Sequence, residues 1–244
     1  MKRLISFLLS LSLSPLGATL IRTNPMSNGL VGYWPLDENV GTVALDRSGQ
    51  GNTGTVTSAL WVGGISGSAL KFAPATNDAV TIVNNTIFNT PNITFGNWFS
   101  IGVVFPVGIN PTGTLMCMKK GTGASWALDF GNIFSQNSSL VFTTYNGASG
   151  DPVYSVKQFN DMKKHLAVAQ ANGKYKRVFI DGRMDIISNQ VAALDYTSPT
   201  NLYLGTYNGS SSAFGGMCDD FFVFNRVGSD TEEENRFLDG ILDG

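Results

Sequence analysis

The chain holds few residues of the kinds that do chemistry, and their spacing narrows what it can do. There is one histidine, His165. Any serine–histidine–aspartate arrangement must use it, and no Gly-x-Ser-x-Gly elbow accompanies it. Its place at the head of the run His165-Leu166-Ala167-Val168 suits a residue that enters a strand. One histidine and two widely separated cysteines, Cys117 and Cys218, exclude a usual zinc site. Both cysteines lie in apolar stretches, so buried free thiols are the expected state, with a disulfide as the alternative. Glutamate is scarce: Glu38, Glu232, Glu233 and Glu234. Paired carboxylates for acid–base work would therefore come from aspartates. Asp129, Asp181 and Asp185 are the candidates, and the ordinary fate of such residues is a solvated turn or edge. The glycines from Gly49 to Gly54 have no lysine after them and open no helix, so they make no phosphate loop.

Two further groups of residues carry chemistry. Asp219 and Asp220 stand side by side in the apolar run Gly215 to Arg226. As a strand, this run places Met217, Phe221 and Val223 on the face of Asp219, and Cys218, Phe222 and Phe224 on the face of Asp220. The two carboxylates then point opposite ways. A strand apolar on both faces belongs inside a sandwich, and a carboxylate withdrawn from water there needs a cation or several donors. No Lys or Arg lies within the run before Arg226. The second group is aromatic: Trp61, Trp126, Tyr145, Tyr154 and Tyr207. Core packing is the commoner fate of such side chains. Tyr145, Tyr154 and Tyr207 adjoin the turn signals Asn146-Gly147, Pro152 and Asn208-Gly209, and are the candidates for a ligand-binding rim.

The elements that must position these residues are strands. Charged residues make up only 14% of the chain, and Gly, Ser, Thr and Asn fill the gaps between short apolar runs, as in an all-β protein with many turns. The net charge of -2 lacks the basic face that nucleic acid requires. The runs include Leu30–Leu36, Leu70–Phe72, Leu115–Met118, Trp126–Phe130, Leu140–Tyr145, Leu166–Gln170, Tyr175–Ile180 and Leu202–Leu204. Phe99, Ile101, Val103, Phe105 and Val107 share one parity and read as a core-facing stripe. Asn172-Gly173 between two runs predicts a hairpin. Only the tail reads as a helix, with Ser229 and Asp230 at its cap, Glu232 to Glu234 in its first turn, and Phe237 and Leu238 packing. The runs recur without a linker-like break from Gly29, which gives one domain over 29–240.

Several of these blocks together carry a family resemblance. Gly29-Leu30-Val31-Gly32-Tyr33-Trp34-Pro35-Leu36-Asp37-Glu38 is similar to an opening strand, and Asp46 to Gly54 to the loop after it. Gly67-Ser68-Ala69-Leu70-Lys71-Phe72, the pair of runs at His165 and Val178–Gly182, and the Asp219-Asp220 strand complete the order. In this the chain resembles laminin-G-like domains of the concanavalin-A-like lectin/glucanase superfamily. The resemblance implies a jelly-roll β-sandwich of two antiparallel sheets. It also implies that Asp219 binds a structural Ca2+ ion, with backbone carbonyls near Leu36 and Phe72 completing the shell. The alternative is that Asp219 accepts backbone N–H bonds alone. Asp220 is then expected to meet a Lys, an Arg or backbone amides.

For function, the resemblance implies a non-catalytic, lectin-like module that binds glycan or protein surfaces. Glycosidases of this fold carry closely spaced Glu and Asp on one strand, a pattern missing here, so a hydrolase ranks last. A structural protein of a bacteriophage virion, as a head decoration or tail fibre component, is the rival class. The N-terminus bears on that choice. Met1-Lys2-Arg3 followed by Leu4 to Leu13 is similar to a secretory signal, yet Leu9 to Ser14 alternates with period two, and Pro15 or Leu16 stands where a cleavage site wants a small residue. Residues 1–18 are thus either a signal or a retained arm that pairs with a neighbouring subunit's sheet edge. Residues 19–28 read as a connector. The expected location is extracellular or on a virion surface, with no transmembrane span and no nucleic acid partner.

Overall fold

The computed structural model describes residues 28–73, 77–102, 113–120, 123–132, 135–146, 149–159, 161–210 and 212–238. The segments expected at 1–18 and 19–28, except Asn28, lie outside these residues, as do Val103, Phe105 and Val107. The strands are β1 (Leu30–Trp34), β2 (Val43–Ala44), β3 (Gly54–Thr57), β4 (Leu60–Gly63), β5 (Ser68–Phe72), β6 (Ala79–Val83), β7 (Ile93–Ile101) and β8 (Gly113–Lys120). They continue as β9 (Gly123–Asn132), β10 (Ser135–Asn146), β11 (Ser149–Gln158), β12 (His165–Ala171), β13 (Tyr175–Ile180), β14 (Arg183–Asn189), β15 (Pro199–Leu204) and β16 (Gly216–Phe224). A short 3-10 turn spans Thr86–Phe88, and one helix, α1 (Asp230–Leu238), ends the described chain.

The strands form two antiparallel sheets. The first runs β14-β13-β12-β7-β16-β5-β4, with β1 also paired to β16; the second runs β11-β10-β9-β8-β15-β6-β3-β2. The core between them takes Phe95, Phe99 and Ile101 from β7, Trp126, Leu128 and Phe130 from β9, and Phe142 from β10. Burying these large side chains gives the sandwich its main stabilisation, at about 25 cal/mol per Å2 of apolar surface. The other face of the first sheet is also covered. Trp98, Leu166, Val168, Phe179, Phe222 and Phe224 pack there, and Phe237 of α1 stacks on Trp98 at 5.6 Å between ring centroids.

Local chemistry explains how the elements end. Asn172 bridges the β12–β13 hairpin, its Oδ1 accepting the amides of Lys174 and Tyr175 at 3.0 Å each, while Gly173 adopts φ +81. At α1 the Ser229 hydroxyl accepts the Glu232 amide at 3.2 Å and the Glu232 carboxylate accepts the Ser229 amide at 2.8 Å, a reciprocal cap. The tail differs from expectation in one respect. Leu238 is 67% exposed, and the packing residues of α1 besides Phe237 are Glu233 and Arg236, both fully buried. No helix among the described residues is long and apolar enough to cross a membrane.

The carboxylate strand departs from simple alternation. The pairing of β16 with β7 slips between Asp219 and Phe222, and Asp220 adopts φ 49. This is a β-bulge, which adds a residue and inverts the parity after it. Cys218, Phe221 and Val223 therefore all enter the core between the sheets, while Phe222 and Phe224 lie under α1. The faces expected from strict alternation are corrected accordingly. The bulge falls where β16 changes partner, from β5 at Gly216–Cys218 to β1 at Phe221–Phe224.

Candidate functional site

The outer face of the second sheet gathers three of the sequence candidates. In the central strands, residues facing inward build the core, so their neighbours face out. Register aligns Tyr154 with Val141, Val141 with Asp129, and Asp129 with Thr114, in a row across β11, β10, β9 and β8. The next row aligns Thr143, Ala127, Cys117 and Tyr203. Tyr145 from β10 and Tyr207 from the loop after β15 pack on Cys117, Ala124 and Ala127. Both rings stay half-buried, and Tyr154 is exposed. The rows put Tyr154 two strands from Asp129, about 10 Å at the usual strand spacing. Trp126 is fully buried in the core, and Trp61 is partly buried with its indole N–H on the Gly41 carbonyl.

The charges on this face are arranged with care. Lys119 is buried beneath Tyr207, its Nζ 4.1 Å from the ring centroid. Asp129 is partly exposed in mid-sheet, not in a turn or at an edge as expected. Its Oδ1 accepts the Thr114 hydroxyl at 2.6 Å. Burial pushes the carboxyl up to about 6, against the lowering effect of the Thr114 bond. Burial, joined by Asp129, also raises Tyr145, and burial, with Cys117 and Asp129, raises Tyr207 to about 12. The phenols are therefore neutral and keep their O–H donors. Cys117 is raised by burial and then by Asp129, so it is a thiol; it and Cys218 are both free and buried. A sheet face with aromatic rings, neutral hydroxyls and one carboxylate can receive the ring faces and hydroxyls of a sugar.

A second feature surrounds the β16 bulge. Asp219 is fully buried; its Oδ2 accepts the Ile65 amide at 2.7 Å and its Oδ1 the Asp220 amide at 3.0 Å. Asp220 accepts the Tyr33 hydroxyl at 2.8 Å. The two carboxylates do not diverge. Burial, then Asp220, and Asp37 more weakly, push Asp219 up to about 8. Tyr33 is raised too, by burial first and then by Asp220. The carboxylate of Asp37 accepts the Ser68 amide at 3.0 Å. Among the described residues, neither Asp37 nor Asp219 forms an ion pair with Lys or Arg, and no three metal-binding side chains cluster. A Cβ placed on Gly64 would collide with Asp219 Oδ2 and the Ser68 carbonyl, so this cradle depends on glycine. Asp219 thus accepts backbone N–H bonds at both oxygens, as in the alternative read from sequence, and has no charged partner among the described residues; a hard cation that takes oxygen ligands would supply one. Carbonyls were expected near Leu36 and Phe72; instead the Leu36 carbonyl accepts the Ser68 hydroxyl at 2.6 Å, the next residue, Asp37, brings a carboxylate, and the stretch beside Asp219 is Gly64 to Ser68, since Phe72 pairs with Gly216.

The remaining candidates lie elsewhere. His165 bonds Asp181 through Nδ1 at 2.8 Å and Asp161 through Nε2 at 3.1 Å, while Asp181 also takes the Lys157 ammonium at 2.8 Å. Asp185 accepts the amides of Val156 and Lys157 at 2.5 and 3.0 Å, joining β14 to the edge strand β11. Asp181 and Asp185 thus belong to the first sheet's outer hairpin and do not pair with Asp129. Lys119 was not singled out from sequence, and Cys117 was read only as a buried thiol, which it is.

Comparison with known proteins places this geometry. A family model described as concanavalin A-like lectin/glucanases superfamily, of laminin G type, matches residues 74–232. The chain belongs to that superfamily. Among solved structures, it resembles the binding domain of Paraclostridial Mosquitocidal Protein 1 at 15% identity and a TM-score of 0.66, over 87% of this chain and 52% of that one. It also resembles Trypanosoma rangeli sialidase at 18% identity and a TM-score of 0.65, over 88% of this chain and 34% of that one. Domain 4 of AbnA, a GH43 extracellular arabinanase from Geobacillus stearothermophilus solved with arabinotriose, matches at 11% identity and a TM-score of 0.64, over 84% of this chain and 97% of that one. The chain thus spans about half of the toxin domain and a third of the sialidase. Identities this low speak for the fold alone. No curated protein sequence matches the chain.

Proposed function

We propose that this chain is a non-catalytic glycan-binding module that works outside the cell, with the outer face of the second sheet as its contact surface. The observation that carries this reading is the joint placement of Tyr145, Tyr207 and the partly exposed Asp129 on one open face, with Tyr154 at its margin. Sugars offer apolar ring faces and hydroxyl groups, which match aromatic rings and fixed polar groups. The similar arabinanase domain solved with arabinotriose, and the toxin binding domain, support a binding role. A structural calcium ion belongs to the same reading. Asp219, with carbonyls from the Gly64–Ser68 segment, would hold it, and the ion would supply the positive charge that this buried carboxylate lacks.

A glycan array probed with the full chain tests the reading. Tyr145→Ala and Tyr207→Ala should each weaken the hits about tenfold or more, as loss of a sugar platform worth about 1.4 kcal/mol would, while the melting temperature stays near that of the parent. An array without hits, with tight binding of a protein at these tyrosines, would replace glycan by protein as the ligand. Release of reducing ends from any bound glycan, lost in Asp129→Asn, would replace binding by hydrolysis.

A further inference from the structure

The charge pattern of the tyrosine face narrows its ligands beyond glycan in general. Two charged side chains stand on the strands of this face, Asp129 and Lys119. They are not equivalent. Lys119 is almost fully buried and covered by the Tyr207 ring, so its charge is already engaged. The Asp129 Oδ1 is held by the Thr114 hydroxyl, but Oδ2 has no hydrogen-bond partner among the described residues, and the residue is partly exposed. Among the described residues, no Lys or Arg forms an ion pair with it. Its neighbours in the adjoining strands and loop are Cys117, Tyr145 and Tyr207, all neutral, with Lys119 further along β8. A ligand lying on Tyr145 and Tyr207 therefore meets one charge with an open acceptor, and that charge is negative.

Resting on the glycan-binding reading, we infer that this face selects neutral glycans, which donate hydroxyl groups to the open Asp129 oxygen, and rejects acidic ones. A sugar hydroxyl pair supplies donors to a carboxylate already fixed by Thr114, so little ordering is needed on binding. A sialic acid carboxylate or a sulfate in the same place brings no donor to that oxygen and sets like charges together. The partial withdrawal of Asp129 from water strengthens both effects, because screening is weaker there than in bulk solvent. The elevated pKa of Asp129, about 6, adds a consequence. The carboxylate is ionised above pH 6 and takes up a proton below it, so discrimination should fade in acid.

The test uses an array of glycan pairs that differ only in a terminal sialic acid or a sulfate, probed with the full chain at pH 7.5. The neutral member of each bound pair should bind about tenfold or more tightly, the scale of one unfavourable charge contact. Asp129→Asn, which keeps the shape and the Thr114 contact, should bring the two members within about threefold. The same narrowing should appear for the unmodified chain near pH 5. Equal or tighter binding of the acidic members, or a preference that Asp129→Asn leaves unchanged, overturns the inference. If Tyr145→Ala still abolishes that binding, the glycan reading itself survives. If no pair binds, or binding ignores Tyr145→Ala, the underlying reading fails and this inference with it.

Discussion

Replacing Arg236 by methionine should unfold the protein far more easily than a surface change would, and the size of the effect can be worked from its surroundings. Arg236 and Glu233 are both fully buried on the face of α1 that meets the first sheet. The Arg236 Nε bonds the Glu233 carboxylate at 2.9 Å, and Gln170 donates to its other oxygen at 2.6 Å. The guanidinium also lies over Phe224, 4.1 Å from the ring centroid, and over Phe222 at 5.1 Å. Burial raises Glu233 and lowers Arg236, so on each partner desolvation outweighs the pairing. Methionine fills similar space but leaves Glu233 without its cation. Breaking one side of such a pair costs about 3–5 kcal/mol. At roughly 2–4 °C per kcal/mol for a domain of this size, the melting temperature should fall by about 6–20 °C. The double change Glu233→Gln with Arg236→Met removes both charges and should recover most of that loss. The pH dependence has a definite sign. A buried acid whose folded pKa is raised binds a proton more readily folded than unfolded, so its contribution to stability falls as pH rises toward the folded value. Without Arg236 the folded pKa moves higher still. The penalty should therefore grow as pH rises above the ordinary glutamate range, about 4.3, and be smallest in acid. Urea titrations across that range give the measurement. A penalty below 1 kcal/mol, or one that is flat with pH, would refute the buried pair.

Two further outcomes follow from the same structure. Calcium should raise the melting temperature and chelator should lower it, with Asp219→Asn abolishing the response; a melt indifferent to both would remove the ion from the bulge. His165 is pulled down by burial but raised on balance by its bonds to Asp181 and Asp161. Its contribution to stability should be fully present below about pH 6.5 and be lost as pH rises through the folded value, and His165→Asn should flatten that slope in a pH series of melts.

Sequence and structure agree where one local rule decides. The Asn172-Gly173 hairpin and the Ser229–Glu232 cap depend on side chains bonding their own neighbourhood, and both formed as read. The alternation of Phe99 and Ile101 reached the core for the same reason. The bulge was illegible because strict period two was assumed across Asp219-Asp220, whereas the strand changes partner there. Strands β11 and β14 escaped notice because they are edges, with Pro152 in one and many exposed residues in both, and edges need no clean alternation. Glu233 was read only as a first-turn residue and Arg236 was not singled out, since burial of an ion pair is set by what α1 packs against. For the candidate site, turn signals drew attention to Tyr145, Tyr154 and Tyr207, and the structure brings Tyr145 and Tyr207 together on one sheet face. Sequence could not show that Asp129 joins them, because this depends on the registers of four strands.

The place of β16 in the first sheet bears on how the protein is made. This strand is the last of the sixteen among the described residues, yet it lies inside the sheet, between β7 and the pair β5 and β1. During synthesis the second sheet's consecutive hairpins from β8 to β11 can close as they emerge, through contacts near in sequence. The first sheet cannot. Until about residue 224 has left the ribosome, β7 and β5 each keep an unpaired edge, and the inner faces of both sheets stay incompletely covered. A growing chain is thus held open by its own topology, and completion of β16 joins the earliest strand to the middle of the sheet in one late step.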